Sequence, residues 1–109
     1  MKRVGATLDV RPECIESYKQ YHLGVWPEIE MAIRVAGIER YSIFLFDTRL
    51  FAYFEYTGPE TEFEARMQAL AAAPRMREWW DLMEMMQVPL PGRRQNTWWA
   101  EMEEVFHLD

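Results

Sequence analysis

The order of strand-like and helix-like hydrophobic patterns along the chain constrains its fold more than any other feature. Over Lys2–Val10 the apolar residues recur at every second position, which predicts a strand with one buried face. A helical stretch comes next, followed by two segments rich in aromatic and β-branched residues, Ile38–Phe46 and residues 50–57. Residues 47–49 between them are short enough for a hairpin. The sequence therefore predicts that these two strands pair antiparallel.

Proline and glycine interrupt both helical stretches. Pro12 is well placed to begin the first stretch, whereas Gly24 and Pro27 should bend or restart it, and Gly37 should end it. The second stretch has apolar residues at helical spacing until Pro74, and beyond that residue it resumes as an apolar stripe of methionine and tryptophan. Each stretch should therefore form a helix broken near its middle.

The predicted order of elements is strand, helix, strand, strand, helix, strand. Residues 87–97 have no period and indicate a loop, and the alternation of residues 102–108 supplies the last strand. This order is that of the split β-α-β, or ferredoxin-like, arrangement, an α+β fold in which both helices cover one face of a four-stranded antiparallel sheet. The length suits a single domain, residues 1–109.

The face of the sheet that the helices leave open should be apolar. Strands rich in aromatic residues would expose there a larger hydrophobic patch than a soluble monomer usually carries. A second subunit or a ligand should cover it, and closed pairs are the commonest soluble assembly. We expect a homodimer.

Composition and charge exclude several classes of function. Half of the residues are hydrophobic, which excludes a disordered chain. The net charge of −6 comes without a run of basic residues, so nucleic acid is not an expected partner. No apolar run approaches the ~20 residues that span a bilayer, and the N-terminus lacks the pattern of a signal peptide. We therefore expect no membrane association and a cytoplasmic location.

The segment of residues 18–28 is the strongest candidate for a wall of a pocket that binds a small polar ligand. Tyr18 and His22 lie four positions apart, so a phenol and an imidazole should lie side by side on one helical face. Imidazole titrates near neutral pH, which makes His22 the candidate proton carrier. The alternative is a core histidine whose ring bonds a backbone carbonyl. A metal site is not supported, because the second histidine, His107, forms no ligand spacing with the first.

Further aromatic residues could complete this pocket. Tyr41 lies within a predicted strand and enters the same pocket if it faces the helices. Trp79 and Trp80 are adjacent and so point about 100° apart on a helix, which lets one of them line a cavity where its ring could stack on a sugar. The alternative for the tryptophan pair is simple core filling.

Two motifs carry a resemblance to a known family. The first is Tyr-x-x-x-His-x-x-x-Trp-Pro-Glu over residues 18–28, and the second is Met-x-x-Trp-Trp over residues 76–80. With the Tyr-Ser-Ile of residues 41–43 and the ending Glu-Val-Phe-His-Leu of residues 104–108, they make the chain resemble the L-rhamnose mutarotase family from end to end.

The resemblance implies a dimeric α/β-barrel fold and an aldose 1-epimerase activity that interconverts the α and β anomers of L-rhamnose without a cofactor. It places the family's proton donor on His22 and its sugar-binding residues on Tyr18, Tyr41, Trp79 and Trp80. Arg40 departs from the family pattern, in which a small polar residue such as Asn is typical.

Two other functions are compatible with the same architecture. One is a haem-handling or oxygenase enzyme in which His22 is an axial ligand, since a fold does not fix a function. The other is a sugar-binding module without catalysis. The sequence leaves open which group transfers the second proton, and whether residues 87–97 close over the site.

Overall fold

The computed structural model describes all residues of the chain, Met1–Asp109, and its elements follow the predicted order. A short 3-10 turn precedes α1, and another precedes α3. No helix is both long enough and apolar enough to cross a membrane. The elements are β1 Lys2–Val10, α1 Ile15–Leu23, α2 Pro27–Val35, β2 Ile38–Phe46, β3 Arg49–Tyr56, α3 Phe63–Ala72, α4 Pro74–Met86, β4 Gln87–Val88 and β5 Ala100–Met102.

Proline divides each helical stretch into two helices, as the sequence predicts. Pro27 is the first residue of α2 and Pro74 is the first residue of α4. Proline suits a first helical position, because its missing N–H would have no partner there and its φ is already helical. Four helices result, and they pack on one face of the sheet, which we call the inner face.

The sheet is antiparallel throughout and has five strands, so the prediction of four strands is wrong. The order β2-β3-β1-β4 is that of the ferredoxin-like arrangement. β5 also pairs with β1, along Gly5–Thr7, whereas β4 pairs with β1 further on, at Asp9 and Val10. Two short strands thus share the position expected for one, because the intervening segment carries Pro89 and Pro91, which cannot donate to a sheet.

The last strand is shorter and earlier than predicted. β5 ends at Met102, and residues 103–109 form no strand although their sequence alternates. Met102 lies opposite Gly5, so β1 offers only its first few residues to the chain beyond that point. Arg3 donates two hydrogen bonds to the Glu104 carboxylate, at 3.1 and 2.9 Å, which holds the start of this tail. Phe106 beyond it is 79% exposed.

The hydrophobic core lies between the inner face of the sheet and the helices. Leu8, Val10 and Leu50 enter it from the strands, and Ile29 and Met76 enter it from α2 and α4. None of these five residues is more than 1% exposed. Burying side chains of this kind contributes roughly 1.5–3 kcal/mol each, so this layer supplies much of the driving force for folding.

The outer face of the sheet carries exposed aromatic side chains. Phe44 and Phe51 are cross-strand partners on β2 and β3, and Phe46 follows on the same face of β2. Phe44 is 65% exposed and Phe46 is 78% exposed. Together with Met102 on β5, which is 42% exposed, they form what we call the outer aromatic patch.

A β-bulge in β2 lets Ile38 and Tyr41, three positions apart, both face the helices. Arg40 and Tyr41 together lie opposite the single residue Phe54 of β3. The backbone φ of Arg40 is 51°, in the left-handed region that most side chains avoid. Tyr41 faces the helices by alternation with Ile43. The extra residue gives the buried Ile38, at the start of the strand, the same face.

Replacing Arg40 by asparagine is expected to stabilise the fold by up to about 1 kcal/mol. Asparagine tolerates the left-handed conformation better than arginine does. The variant loses an ion pair between Arg40 and Glu55, 2.8 Å, which is worth little because the arginine side chain is 65% exposed. Arg40→Gln loses the same ion pair but keeps the backbone cost. Urea unfolding should therefore rank Arg40→Asn above Arg40→Gln, and the reverse order would contradict the strain at this position.

Candidate active site

A wide cavity lies between the inner face of the sheet and the helices, with a volume of about 1140 Å³. Of its 35 lining residues, 22 are hydrophobic, so it offers mainly apolar surface, and the remaining residues are polar or charged. All five residues singled out from the sequence line it: Tyr18, His22, Tyr41, Trp79 and Trp80. Their roles in binding or catalysis stay predictions.

His22 has one ring nitrogen bound and one free. Its Nδ1 lies 2.8 Å from the backbone carbonyl oxygen of Tyr18, one helical turn earlier. A carbonyl can only accept, so Nδ1 carries the proton and the neutral ring keeps a lone pair on Nε2. Nε2 has no partner in the protein. The two interpretations of this histidine thus coincide, because one nitrogen bonds a backbone carbonyl and the other remains available for proton transfer.

Tyr18 is buried beside His22 and takes part in a chain of hydrogen bonds. Its ring centroid is 4.4 Å from that of His22. Burial raises the pKa of Tyr18 to about 12, so its hydroxyl is neutral at physiological pH. That hydroxyl accepts a hydrogen bond from Gln87 Nε2 at 3.0 Å. Gln87 Oε1 in turn accepts one from Trp98 Nε1 at 2.8 Å.

Tyr41 enters the cavity from the sheet, as expected if it faces the helices. Its ring packs at 5.4 Å from that of Phe54, the residue opposite the bulge. Its hydroxyl has no hydrogen-bond partner in the protein. Burial raises the pKa of Tyr41 to about 12, although 42% of the residue is exposed, because the exposed part lines the cavity. A second neutral phenol is therefore available to a ligand.

Trp79 and Trp80 differ in burial, as their position on a helix predicts. Trp79 is 5% exposed and packs edge-on against Trp26 at 5.0 Å and against His22 at 5.8 Å. Trp80 is only half-buried, and the Arg77 guanidinium lies 5.7 Å from its ring. Both line the cavity. Trp79 is thus core and cavity wall at once, so neither of the two alternatives describes it alone.

The Trp-Pro-Glu part of the first motif holds two helices together instead of lining the cavity. Glu28, at the start of α2, accepts a hydrogen bond from Arg75 Nε at 2.9 Å, at the start of α4. The same guanidinium lies 4.2 Å from the ring of Trp26. Since Trp26 packs against Trp79, the contacts of Arg75 with Glu28 and Trp26 support the wall of the cavity that Trp79 forms. The expectation that all of residues 18–28 form the wall is therefore correct only for its first part.

Gln87 and Trp98 are functional candidates that the sequence analysis missed, because both lie in or beside the segment assigned to a loop. Gln87 opens β4 and is 3% exposed. It follows Met83 by four positions, so it continues the apolar stripe of α4 with a polar residue. A polar side chain in line with a buried stripe must find a partner there, and that was the available signal.

No three His, Cys, Asp or Glu side chains cluster in a way that could hold a metal ion. His107 lies outside the cavity, in the C-terminal tail, where its Nε2 is 2.7 Å from the Asp109 carboxylate.

The fold and the cavity define a class, the ferredoxin-like α+β domains that can hold a small molecule between sheet and helices. The tetracenomycin F2 cyclase of Streptomyces glaucescens, a type-II polyketide cyclase, has this fold, with a TM-score of 0.73 and alignment over 100% of this chain and 98% of that one. At 14% identity the likeness concerns the fold alone.

Within this class the sequence comparisons identify one family. The sequence profile described as L-rhamnose mutarotase matches residues 3–108. The L-rhamnose mutarotase of Pectobacterium carotovorum is 34% identical, with 100% of each chain covered. The crystal structure of an L-rhamnose mutarotase from Formosa agariphila aligns with a TM-score of 0.77 and 25% identity, again over 100% of each chain. The chain therefore belongs to the L-rhamnose mutarotase family.

The family predicted from the sequence motifs is thus confirmed, and with it the interpretation of the chain as an enzyme that acts on sugar anomers. The comparisons do not favour a haem-handling enzyme or an oxygenase.

Proposed function

We propose that this protein is an aldose 1-epimerase that interconverts the α and β pyranose forms of L-rhamnose, with His22 as its proton-transferring residue. The observation that carries the proposal is the free Nε2 of His22 beside two neutral phenols and two indoles in one largely apolar cavity. A 6-deoxy sugar suits such a cavity, because its methyl group finds apolar surface while its hydroxyls need only a few polar partners.

Mutarotation requires the movement of two protons. As the ring opens, the bond between C1 and the ring oxygen breaks, the anomeric hydroxyl loses its proton and becomes a carbonyl, and the ring oxygen gains a proton from a second donor in the cavity. Neutral His22 can take the first proton on Nε2, because Nδ1 already carries one. Rotation about the C1–C2 bond then presents the other face of the carbonyl. When the ring closes, the imidazolium gives its proton to the carbonyl oxygen, which becomes the new anomeric hydroxyl, and the attacking C5 hydroxyl returns its proton to the second group.

The aromatic residues would bind the sugar while it opens. Indole faces stack on the C–H surface of a pyranose, so Trp80, whose ring is half-exposed, is suited to hold it. Tyr41 has a hydroxyl without a protein partner and can bond a sugar hydroxyl. Holding the open aldehyde in place favours reclosure over escape, since the reacting groups stay near each other.

Exchange NMR with L-rhamnose tests this function directly. The spontaneous exchange of the two anomeric proton signals is slow, and we expect catalytic amounts of the protein to give strong exchange cross-peaks between them. A binding module without catalysis would broaden or shift the sugar signals and leave the exchange rate unchanged. Exchange no faster than in buffer, at protein concentrations that bind the sugar, would refute the proposal.

We also propose that a second copy of the chain covers the outer aromatic patch. Aromatic side chains such as Phe44 and Phe46 are 65% and 78% exposed, which is uncommon on the surface of a soluble monomer. The patch is continuous over β2, β3 and β5, and a surface of this kind can meet its own copy about a two-fold axis.

Replacing Phe44 by glutamate is expected to convert a dimer into a monomer. A charge at the centre of the patch would be buried without a partner in the dimer, which costs several kcal/mol. Sedimentation velocity of wild-type protein and Phe44→Glu measures this change. Met31→Glu is the matched control, because Met31 is 64% exposed on α2, on the helical side of the molecule. The proposal fails if the wild-type chain sediments as a monomer, or if both variants behave alike.

A further inference from the structure

We propose that Gln87, held in one orientation by Trp98, is a positioning residue that makes the Tyr18 hydroxyl a hydrogen-bond donor to the substrate. The inference rests on the proposed function and supplies the second polar group of that reaction. It begins from the three linked side chains, Trp98 Nε1 to Gln87 Oε1 at 2.8 Å and Gln87 Nε2 to Tyr18 Oη at 3.0 Å.

The direction of every hydrogen bond in this chain follows from its last member. An indole N–H can only donate, so the atom of Gln87 that faces Trp98 must be the amide oxygen. The other end of the amide, which faces Tyr18, is then the NH₂ group, which can only donate. The indole thus fixes the amide orientation, and Tyr18 Oη is left with the role of acceptor towards Gln87.

The phenolic proton of Tyr18 consequently has no acceptor within the protein and remains available to the cavity. Tyr18 is 6% exposed and lines the cavity, so the acceptor it reaches lies in the cavity and is water or a bound ligand. A sugar ring oxygen is an acceptor and never a donor. With His22 Nε2 as the group that accepts a proton, Tyr18 is the neighbouring group that offers one.

These hydrogen bonds also link Trp98, in the long segment between β4 and β5, to Tyr18 on α1. Gln87 is 3% exposed at the start of β4, and Trp98 lies eleven positions later, next to β5. The two ends of this segment are joined by the hydrogen bond between them. A change in the segment that moves Trp98 would free the Gln87 amide to rotate, and the Tyr18 hydroxyl would lose its imposed direction.

Gln87→Glu tests this order of donors while preserving shape. An ionised carboxylate accepts from Trp98 and also accepts from Tyr18, so the phenolic proton turns away from the substrate. We expect kcat/KM to fall about tenfold. A protonated carboxyl restores the original pattern, because its carbonyl accepts from Trp98 and its O–H donates to Tyr18. The rate of Gln87→Glu relative to wild type should therefore fall as the pH rises from 5 to 9, a trend that a merely structural role would not produce.

The rate relative to wild type isolates the effect of the new carboxyl. A carboxyl buried as deeply as Gln87 titrates above its usual range, so the change should fall within the pH interval. Other titratable or charged groups line the same cavity in both proteins, so the ratio reports what the carboxyl at position 87 adds, including its effect on them. They are Tyr18, Lys19 and His22 on α1, Glu30 and Arg34 on α2, Glu39, Arg40 and Tyr41 on β2, Glu64 on α3, Glu84 on α4, Arg94 in the segment after β4 and Glu101 on β5.

Two further variants keep the test decisive. Trp98→Phe removes the indole N–H but keeps the ring, so the amide can rotate and kcat/KM should fall severalfold without a new pH dependence. Gln95→Glu is the matched control, because Gln95 is exposed in the same segment and bonds no other side chain; it should retain wild-type rates. Thermal unfolding of each variant shows the fraction folded at the assay temperature, and Trp98→Phe decides the matter if Gln87→Glu does not fold.

The outcomes separate this inference from the proposed function. If wild-type protein accelerates anomer exchange and both Gln87→Glu and Trp98→Phe match it, with a flat pH ratio, the positioning role is overturned and the function stands. If wild-type protein does not accelerate exchange, the function is overturned, and the role of Gln87 in that reaction falls with it. A tenfold loss with the expected pH trend supports both.

Discussion

Replacing His22 by alanine is expected to reduce the catalysed exchange of rhamnose anomers by about 10²- to 10⁴-fold, towards the rate in buffer. The physical reason is the loss of the only imidazole that lines the cavity, whose Nε2 is free to accept a proton. Binding of the sugar should be weakened much less, because the tryptophans and tyrosines remain. Exchange NMR gives the rate, and tryptophan fluorescence on titration with L-rhamnose gives the affinity.

His22→Asn is the control that separates proton transfer from structure. An asparagine amide can still donate to the Tyr18 carbonyl, as His22 Nδ1 does at 2.8 Å, but it has no basic nitrogen. We expect the asparagine variant to fold with wild-type stability and to be as inactive as the alanine variant. A wild-type exchange rate in either variant would remove His22 from the mechanism.

Replacing Trp79 by alanine is expected to destabilise the fold by about 3–5 kcal/mol. Trp79 is 5% exposed and fills the space between Trp26 and His22, so its loss leaves a cavity that its neighbours cannot close. Such a cost is a large fraction of the stability of a small domain. The free energy of unfolding from urea titrations measures it, and Trp79→Phe should recover part of the loss.

Trp80→Ala should show the opposite balance at the neighbouring position. Trp80 is half-buried and lines the cavity, so we expect a loss of stability under about 2 kcal/mol and a rise in KM of about three- to tenfold, which matches the worth of one aromatic stacking contact. Comparing the two variants distinguishes a core tryptophan from a binding one. Equal losses of stability would contradict the difference in burial between them.

The sequence predicts the order of elements well because hydrophobic period and proline act locally. Pro27 and Pro74 begin helices where their missing N–H does no harm, and the alternation of Lys2–Val10 gives a strand with those bounds. The failure lies at the end of the chain. Residues 102–108 alternate like a strand, yet β1 offers too few residues beyond Gly5 to pair with them. Pairing depends on a distant partner, which no local pattern reports.

The sequence predicts the site residues that lie close together along the chain. It does not predict those that only the folded sheet brings together. Tyr18 and His22 are four positions apart on a single helix, so their proximity follows from helical geometry. Gln87 reaches Tyr18 only after the sheet has brought β4 beside β1. The bulge at Arg40 is similar, since nothing local to that residue shows that Ile38 and Tyr41 must share a face.

The sharing of one sheet position by β4 and β5 makes the segment between them a modular part of the enzyme. Each strand is anchored to β1 by its own backbone hydrogen bonds, at Asp9–Val10 and at Gly5–Thr7. Residues 89–99 can therefore change in length and composition while the sheet keeps its register, because lengthening a loop costs little free energy. Arg94, Trp98 and Trp99 from this segment line the cavity. Changes confined to this segment would therefore alter the sugar preference without altering the sheet.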